Sequence, residues 1–327
     1  MYKRWMDMVS VATVVFLIPL LILLFLSASH NGKTDAPHTS ANRDTQTILT
    51  AETEESVLTI SILTENDQMV EVPLNTYVVG VVLAEMPADF DINALKAQAV
   101  VARTYALKRA GRNNKHPAAV CTNASCCQGY VSPDAYVRNN GTLDNLRKVE
   151  SAVEETMNLV LVYNGDLIEA TYFSCSGGRT EDAVAVWGES IPYLKSTKSP
   201  GEENATHYTD TVRFSIEEFQ RKLDLNTKGD PHTWIGNVTY TDGGGVDTMT
   251  IAGTVYKGTE LRSLLGLRST AFSMTIIGTT VVVTTKGFGH RVGMSQYGAE
   301  AMAVRGSSFD QILQHYYSGT ELMMYNG

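Results

Sequence analysis

Glu85 stands two residues before Pro87, at the end of an apolar run that contains Val78, Val81 and Val82. On a helix those valines share its face, so the carboxyl group is expected to be partly withdrawn from water. The negative end of the helix dipole acts in the same direction. Both effects raise a carboxyl pKa, and an acid still protonated near neutral pH can give its proton to a leaving oxygen. The bland alternative, a surface glutamate, is the commoner fate of any single Glu. A second chemical cluster lies further on, where His116, Cys121, Cys126 and Cys127 crowd into HPAAVCTNASCC. Histidine and cysteine at such spacing suit a tetrahedral zinc ion, and four protein ligands would make it structural, with no position left for water. A disulfide, for instance Cys121 with Cys127, is the rival. The fourth cysteine, Cys175, could pair with His290 as thiol and base of a peptidase or amidase, but no nucleophile motif surrounds it.

The elements that must hold these groups can be read from periodicity and punctuation. Val57–Leu63 alternates like a half-buried strand and Met69–Leu74 follows as its hairpin partner. Asn75 offers an N-cap to the helix that ends at Glu85. A second helix is predicted from Ile92 to Arg109, with Ile92, Leu95, Ala99, Ala102 and Ala106 along one face. Asn164-Gly165 between two apolar runs marks a hairpin whose turn residues both need positive φ. Strands are predicted at 249–251, 273–277 and 280–285, and helices at 216–223, 257–265, 295–303 and 309–317, the last behind a Ser308/Gln311 capping box. Helices and strands mix without regular βαβ repeats, so the predicted class is α+β.

The chain has 327 residues, 43% of them hydrophobic and 19% charged, enough for a full core. Its formal charge of -9 argues against nucleic acid as a partner, because counterion release needs a basic face. Residues 9–28, VSVATVVFLIPLLILLFLSA, carry no charge and follow Lys3 and Arg4. The expectation is a single-pass anchor at 9–28, with residues 1–8 cytoplasmic and the rest outside the cell at the membrane. A cleaved signal peptide is the other reading, and the length of the apolar stretch favours the anchor. Residues 29–55 are polar and read as a flexible linker, leaving 56–327 as one mixed helix-and-sheet extracytoplasmic domain with a substrate groove.

Three blocks in order, LAEMPADFDINALKAQAVVARTYA (83–106), YFSCSGGRTEDAVAVWG (172–188) and GFGHRVGMSQYGAEAMA (287–303), closely resemble the stage II sporulation protein D and amidase-enhancer family. The resemblance implies a peptidoglycan lytic transglycosylase. Glu85, the glutamate of the family's E-M-P motif, would act as acid and then base on the bond between N-acetylmuramic acid and N-acetylglucosamine in denuded strands, leaving 1,6-anhydro ends. It implies a setting in forespore engulfment, with a cell-wall amidase and a polytopic membrane scaffold protein as partners. Some family members carry zinc in a Cys/His loop at this place. A non-catalytic activator of an amidase is the alternative from another class.

Lys96 and Arg103 share a helix face and match the family signature, so they are candidates for substrate contact, against the reading of a solvated basic stripe. Ser174, Ser176 and Glu181 in the second block are further candidates, while Gly177 and Gly178 shape a turn. In the third block a glycine-rich entry brings His290, Gln296 and Tyr297, polar and stacking groups suited to an amino sugar. Asp89 and Asp91 are expected to start the second helix rather than act as a second carboxylate.

Overall fold

The computed structural model describes residues 57–112 and 115–326. The expected membrane helix at 9–28 and linker at 29–55 lie outside these residues. No helix among the described residues is long and apolar enough to cross a membrane. The single-pass architecture and the placement at the cell membrane that was built on it are therefore corrected. The architecture observed is a mixed α/β domain.

The predicted hairpin is present as β1 (Thr59–Leu63) and β2 (Met69–Pro73), paired antiparallel. Helix α1 (Leu74–Glu85) begins one residue before Asn75, which does not cap it; Pro73 takes the cap position without a side-chain bond. Asn75 instead accepts from Arg103 of α2 (Ile92–Ala110). Asp91 caps α2 as expected, its Oδ1 accepting from the Asn93 amide at 2.8 Å. The single apolar face predicted for α2 is too narrow. Ala94, Ala97, Ala99, Ala102 and Ala106 are all buried, and α1, α4 (Leu143–Glu154), α8 (Gln296–Val304), α9 (Phe309–Tyr316) and β4 (Leu159–Tyr163) pack around it. Small side chains let several neighbours approach at once, so the helix is enclosed rather than amphipathic.

Strand β3 (Val120–Cys121) runs parallel to β1 and brings the cysteine loop beside α1. Helix α3 (Pro133–Arg138) and α4 follow, then β4 and β5 (Asp166–Leu167) around Asn164 and Gly165, whose φ values of 53° and 85° fulfil the predicted hairpin turn. Strand β6 (Tyr172–Phe173) pairs with the distant β13 (Met294–Ser295), and β14 (Glu321–Met324) closes the sheet on β4. Helix α5 (Ala183–Trp187) leads towards a second core.

That second core was not foreseen. Between residues 209 and 286 the chain builds a lobe from β7 (Thr209–Ser215), α6 (Ile216–Leu223), β8 (Ile235–Tyr240), β9 (Val246–Ile251), β10 (Thr254–Lys257), α7 (Gly258–Leu265), β11 (Phe272–Ile277) and β12 (Thr280–Lys286). Its two three-stranded sheets, β11-β12-β7 and β10-β9-β8, enclose Phe214, Phe219, Trp234, Met249, Ile251 and Leu261.

Candidate active site and metal centre

Glu85, the last residue of α1, lines a cavity of about 660 Å3 together with Tyr105, Tyr172, Ser174, Trp187, His290 and Gln296. Its Oε1 accepts from the Gly129 amide at 2.5 Å, and the Tyr172 hydroxyl hydrogen-bonds the same carboxyl group. Burial raises the Glu85 pKa and outweighs these two bonds, which lower it. Tyr172 is half-buried beside Glu85, Gln128 and Tyr77, and desolvation lifts its own pKa well above the ordinary value, so it remains a donor. The Gln128 Nε2 donates to the Tyr172 oxygen at 3.2 Å, and Gln128 Oε1 accepts from Tyr77 at 3.1 Å. The tyrosine proton is thereby directed to Glu85. Gly129 is required by space: a Cβ there would lie 2.9 Å from Glu85 Oε1. Among the described residues no second carboxylate lines the cavity.

Beside this cavity, one ligand atom from each of His116, Cys121, Cys126 and Cys127 lies within 4.8 Å of the others. His116 Nε2 is 3.2 Å from Cys127 Sγ, and the Cys126 and Cys127 sulfurs are 4.0 Å apart. A tetrahedral zinc would set such edges at about 3.5–3.8 Å. His116 Nδ1 donates to the Ala118 carbonyl at 2.9 Å, which leaves Nε2 as the ligand atom. All four cysteines are free thiols, so the Cys121–Cys127 disulfide is not formed. The donor set fits a metal ion of the zinc type.

The family model described as stage II sporulation protein matches residues 64–163, which carry Glu85 and the His/Cys cluster. The chain is 42% identical over 265 residues to stage II sporulation protein D of Bacillus subtilis (strain 168), covering 79% of this chain and 77% of that protein. The corresponding protein of Bacillus amyloliquefaciens is 41% identical over 265 residues, 79% and 76% of the two chains. The chain belongs to the stage II sporulation protein D family. A protein of Bacillus subtilis named amidase enhancer is 31% identical over 310 residues, 75% of this chain and 40% of that protein.

In this stage II sporulation protein D family member, the structure gathers Glu85, Ser174, His290 and Gln296 at one cavity with Cys126 and Cys127 at its rim. The Gln296 Nε2 is buried and has no hydrogen-bond partner among the described residues. His290 is packed between Phe173 and Trp187, with ring centroids at 5.6 and 5.3 Å. Its Nδ1 accepts from the Val292 amide at 3.1 Å and the ring also bonds the Tyr172 carbonyl. Burial pushes its pKa down to about 4, so it is neutral at physiological pH. Both ring nitrogens are occupied by backbone, and Cys175 is a buried thiol lifted to about 11, which removes the thiol-and-base pairing.

The other candidates lie elsewhere. Lys96 is ion-paired with Glu155 at 2.5 Å. Arg103 is 0% exposed and donates to the carbonyls of Leu159 and Val153 and to Asn75. Ser176 donates to Glu202 from both its amide and its hydroxyl at 2.8 Å. Glu181 forms a buried pair with Arg291 at 2.9 Å, and Tyr297 packs edge-on against Phe90 at 5.1 Å. Sequence reasoning passed over Tyr172, Gln128, Gly129 and Trp187. Tyr172 and Trp187 open and nearly close the second family-like block, and Gln128-Gly129 directly follows the paired cysteines.

Proposed function

We propose that this chain is a lytic transglycosylase of peptidoglycan acting in sporulation, cleaving between N-acetylmuramic acid and N-acetylglucosamine with Glu85 as acid and then base. The observation that supports it is a single raised carboxyl group, held by Gly129 and Tyr172, in a cavity where no second carboxylate stands among the described residues. Hydrolysis ordinarily needs two carboxyl groups at a set separation. A transglycosylase needs one, because the nucleophile is the substrate's own primary hydroxyl.

In the first step the Glu85 proton passes to the glycosidic oxygen as that bond to the muramic anomeric carbon breaks. The carboxylate now formed accepts the Gly129 and Tyr172 hydrogen bonds in their strongest form, because its charge has grown. It then takes the proton of the muramic primary hydroxyl while that oxygen closes on the anomeric carbon, giving the 1,6-anhydro ring and restoring the acid. Gln296 supplies an uncommitted buried donor to orient a sugar, and Ser174 a further polar wall. His116, Cys121, Cys126 and Cys127 would hold zinc, which when bound would crosslink the loop without an open position for water.

The amidase-enhancer relative supports a cell-wall amidase as partner, one that strips stem peptides and leaves denuded strands. The competing reading is a non-catalytic activator of that amidase. Incubating the purified chain alone with denuded strands in oxygen-18 water separates the readings. Expected are unlabelled anhydro ends that borohydride cannot reduce, and none from Glu85→Gln at an unchanged melting temperature. Labelled reducible ends would establish hydrolysis, and no release at all would favour the activator.

A further inference from the structure

The cavity at Glu85 does not end at Trp187. A second basin of about 470 Å3 begins there, and the two share Arg109, Thr171 and Trp187 as common wall. Both volumes lie in the range of small-ligand pockets, roughly 300–1,000 Å3. Trp187 is the last residue of α5, and Gly188, with φ 78°, ends the helix immediately behind it. The indole is 45% exposed and touches the His290 ring at a tilt of 51°, with ring centroids 5.3 Å apart, so one edge is supported while its surface stays open. Such a ring offers a broad apolar plate with a polar edge, the complement of a pyranose whose C–H face is apolar and whose rim is hydroxylated.

The far basin is lined by Lys108, Arg112, Glu169, Glu189, Ser190 and Tyr193. Its cations are held in place: Lys108 donates to the Leu167 carbonyl at 2.5 Å and Arg112 pairs with Glu169. With Arg109 from the shared wall, three cations face two anions, in a chain whose formal charge is -9. A small positive surplus beside an aromatic plate suits a sugar that carries a free carboxylate, as a muramic residue without its stem peptide does.

We propose that the two basins form one glycan groove, in which Trp187 stacks a sugar at the ridge and the far basin holds further residues of the same strand beyond the cleaved bond. This rests on the reading of the substrate as a glycan strand. Its consequence is that the groove senses strand length.

The test reads binding without turnover. The full chain carrying Glu85→Gln is titrated calorimetrically with a disaccharide and with an octasaccharide of alternating N-acetylglucosamine and N-acetylmuramic acid. The octasaccharide should bind more tightly. Adding Trp187→Ala should weaken it by about ten-fold and leave the disaccharide within about two-fold, while Trp187→Phe should keep most of the affinity. Ser190→Trp, an exposed position that fills the far basin, should reproduce the selective loss without touching the ridge. Octasaccharide affinity unchanged in both Trp187→Ala and Ser190→Trp would overturn the groove, and so would equal losses for the two ligands. Should Glu85 prove not to be catalytic, only the release assay would change and these affinities would stand.

Discussion

Burial raises the Glu85 carboxyl while the Gly129 amide and the Tyr172 hydroxyl lower it, and the net direction is upward. Between the ordinary carboxyl value and the raised one, the folded chain holds a proton that the unfolded chain releases, so stability falls as pH rises through that window. Glu85→Gln cannot ionise. It should match the wild type in denaturant melts below the ordinary carboxyl value and exceed it above the window; a difference of the opposite sign would place the carboxylate in a stabilising environment. For the reaction, kcat/KM should decline as pH climbs through the raised value, because the first step needs the acid form. His290, pushed down to about 4, should add no limb near neutrality. The valine pattern made the burial of Glu85 legible from sequence. Its hydrogen-bond partners were not legible, since Gly129 is 44 residues away and Tyr172 further, and spacing along a chain does not say which distant group a fold will bring back. Lys96 and Arg103 show the same limit: their common face follows from helix geometry, but only packing decides that one is enclosed and the other paired.

At the scale of elements, the segment from His116 to Gly129 performs two tasks. Cys126 and Cys127 belong to the His/Cys cluster that could hold a metal, and the next two residues, Gln128 and Gly129, orient Tyr172 and hold Glu85. The purified chain should contain about one equivalent of zinc. Chelation should lower its melting temperature by about 5–8 °C, the size expected when a ligand at a hundred times its dissociation constant is withdrawn from the folded state. Absence of metal with an unmoved melting curve would reject the centre. The cysteine spacing disclosed this cluster because metal ligands must be close in space and here are close in sequence. Helix α2 was only partly legible: its start was marked by Asp91, but alanines on every side leave no periodic signature of enclosure.

Over the whole molecule, two cores are joined by a buried ion pair. Arg291, whose own backbone is left-handed at φ 67°, donates to Glu181, to the carbonyls of Ser176 and Arg179, and to Gly243 in the lobe. Glu181 in turn accepts from Thr241 and Gly245 of the lobe. Glu181→Ala should cost about 3–5 kcal/mol, since it strands a buried guanidinium. A variant that melts like the wild type but shows a raised KM would instead make Glu181 a substrate contact. The lobe itself was invisible in the sequence: its two helices and strands β9, β11 and β12 were located but β7, β8 and β10 were not, and apolar residues do not record which of two cores they enter. The lobe begins and ends at one point, where the Gly287 amide donates to the Tyr208 carbonyl at 2.8 Å and β7 lies beside β12. Strand β6 meets β13 only across this neck, and Tyr172 and His290 stand on opposite sides of it. With the lobe unfolded, that pairing must close a long loop, at an entropic cost that grows with the logarithm of its length; with the lobe folded, the loop is shortened by the stretch between Tyr208 and Gly287. The cavity around Glu85 is thus closed at a lower entropic cost, by about 1 kcal/mol, on a chain whose lobe has already folded.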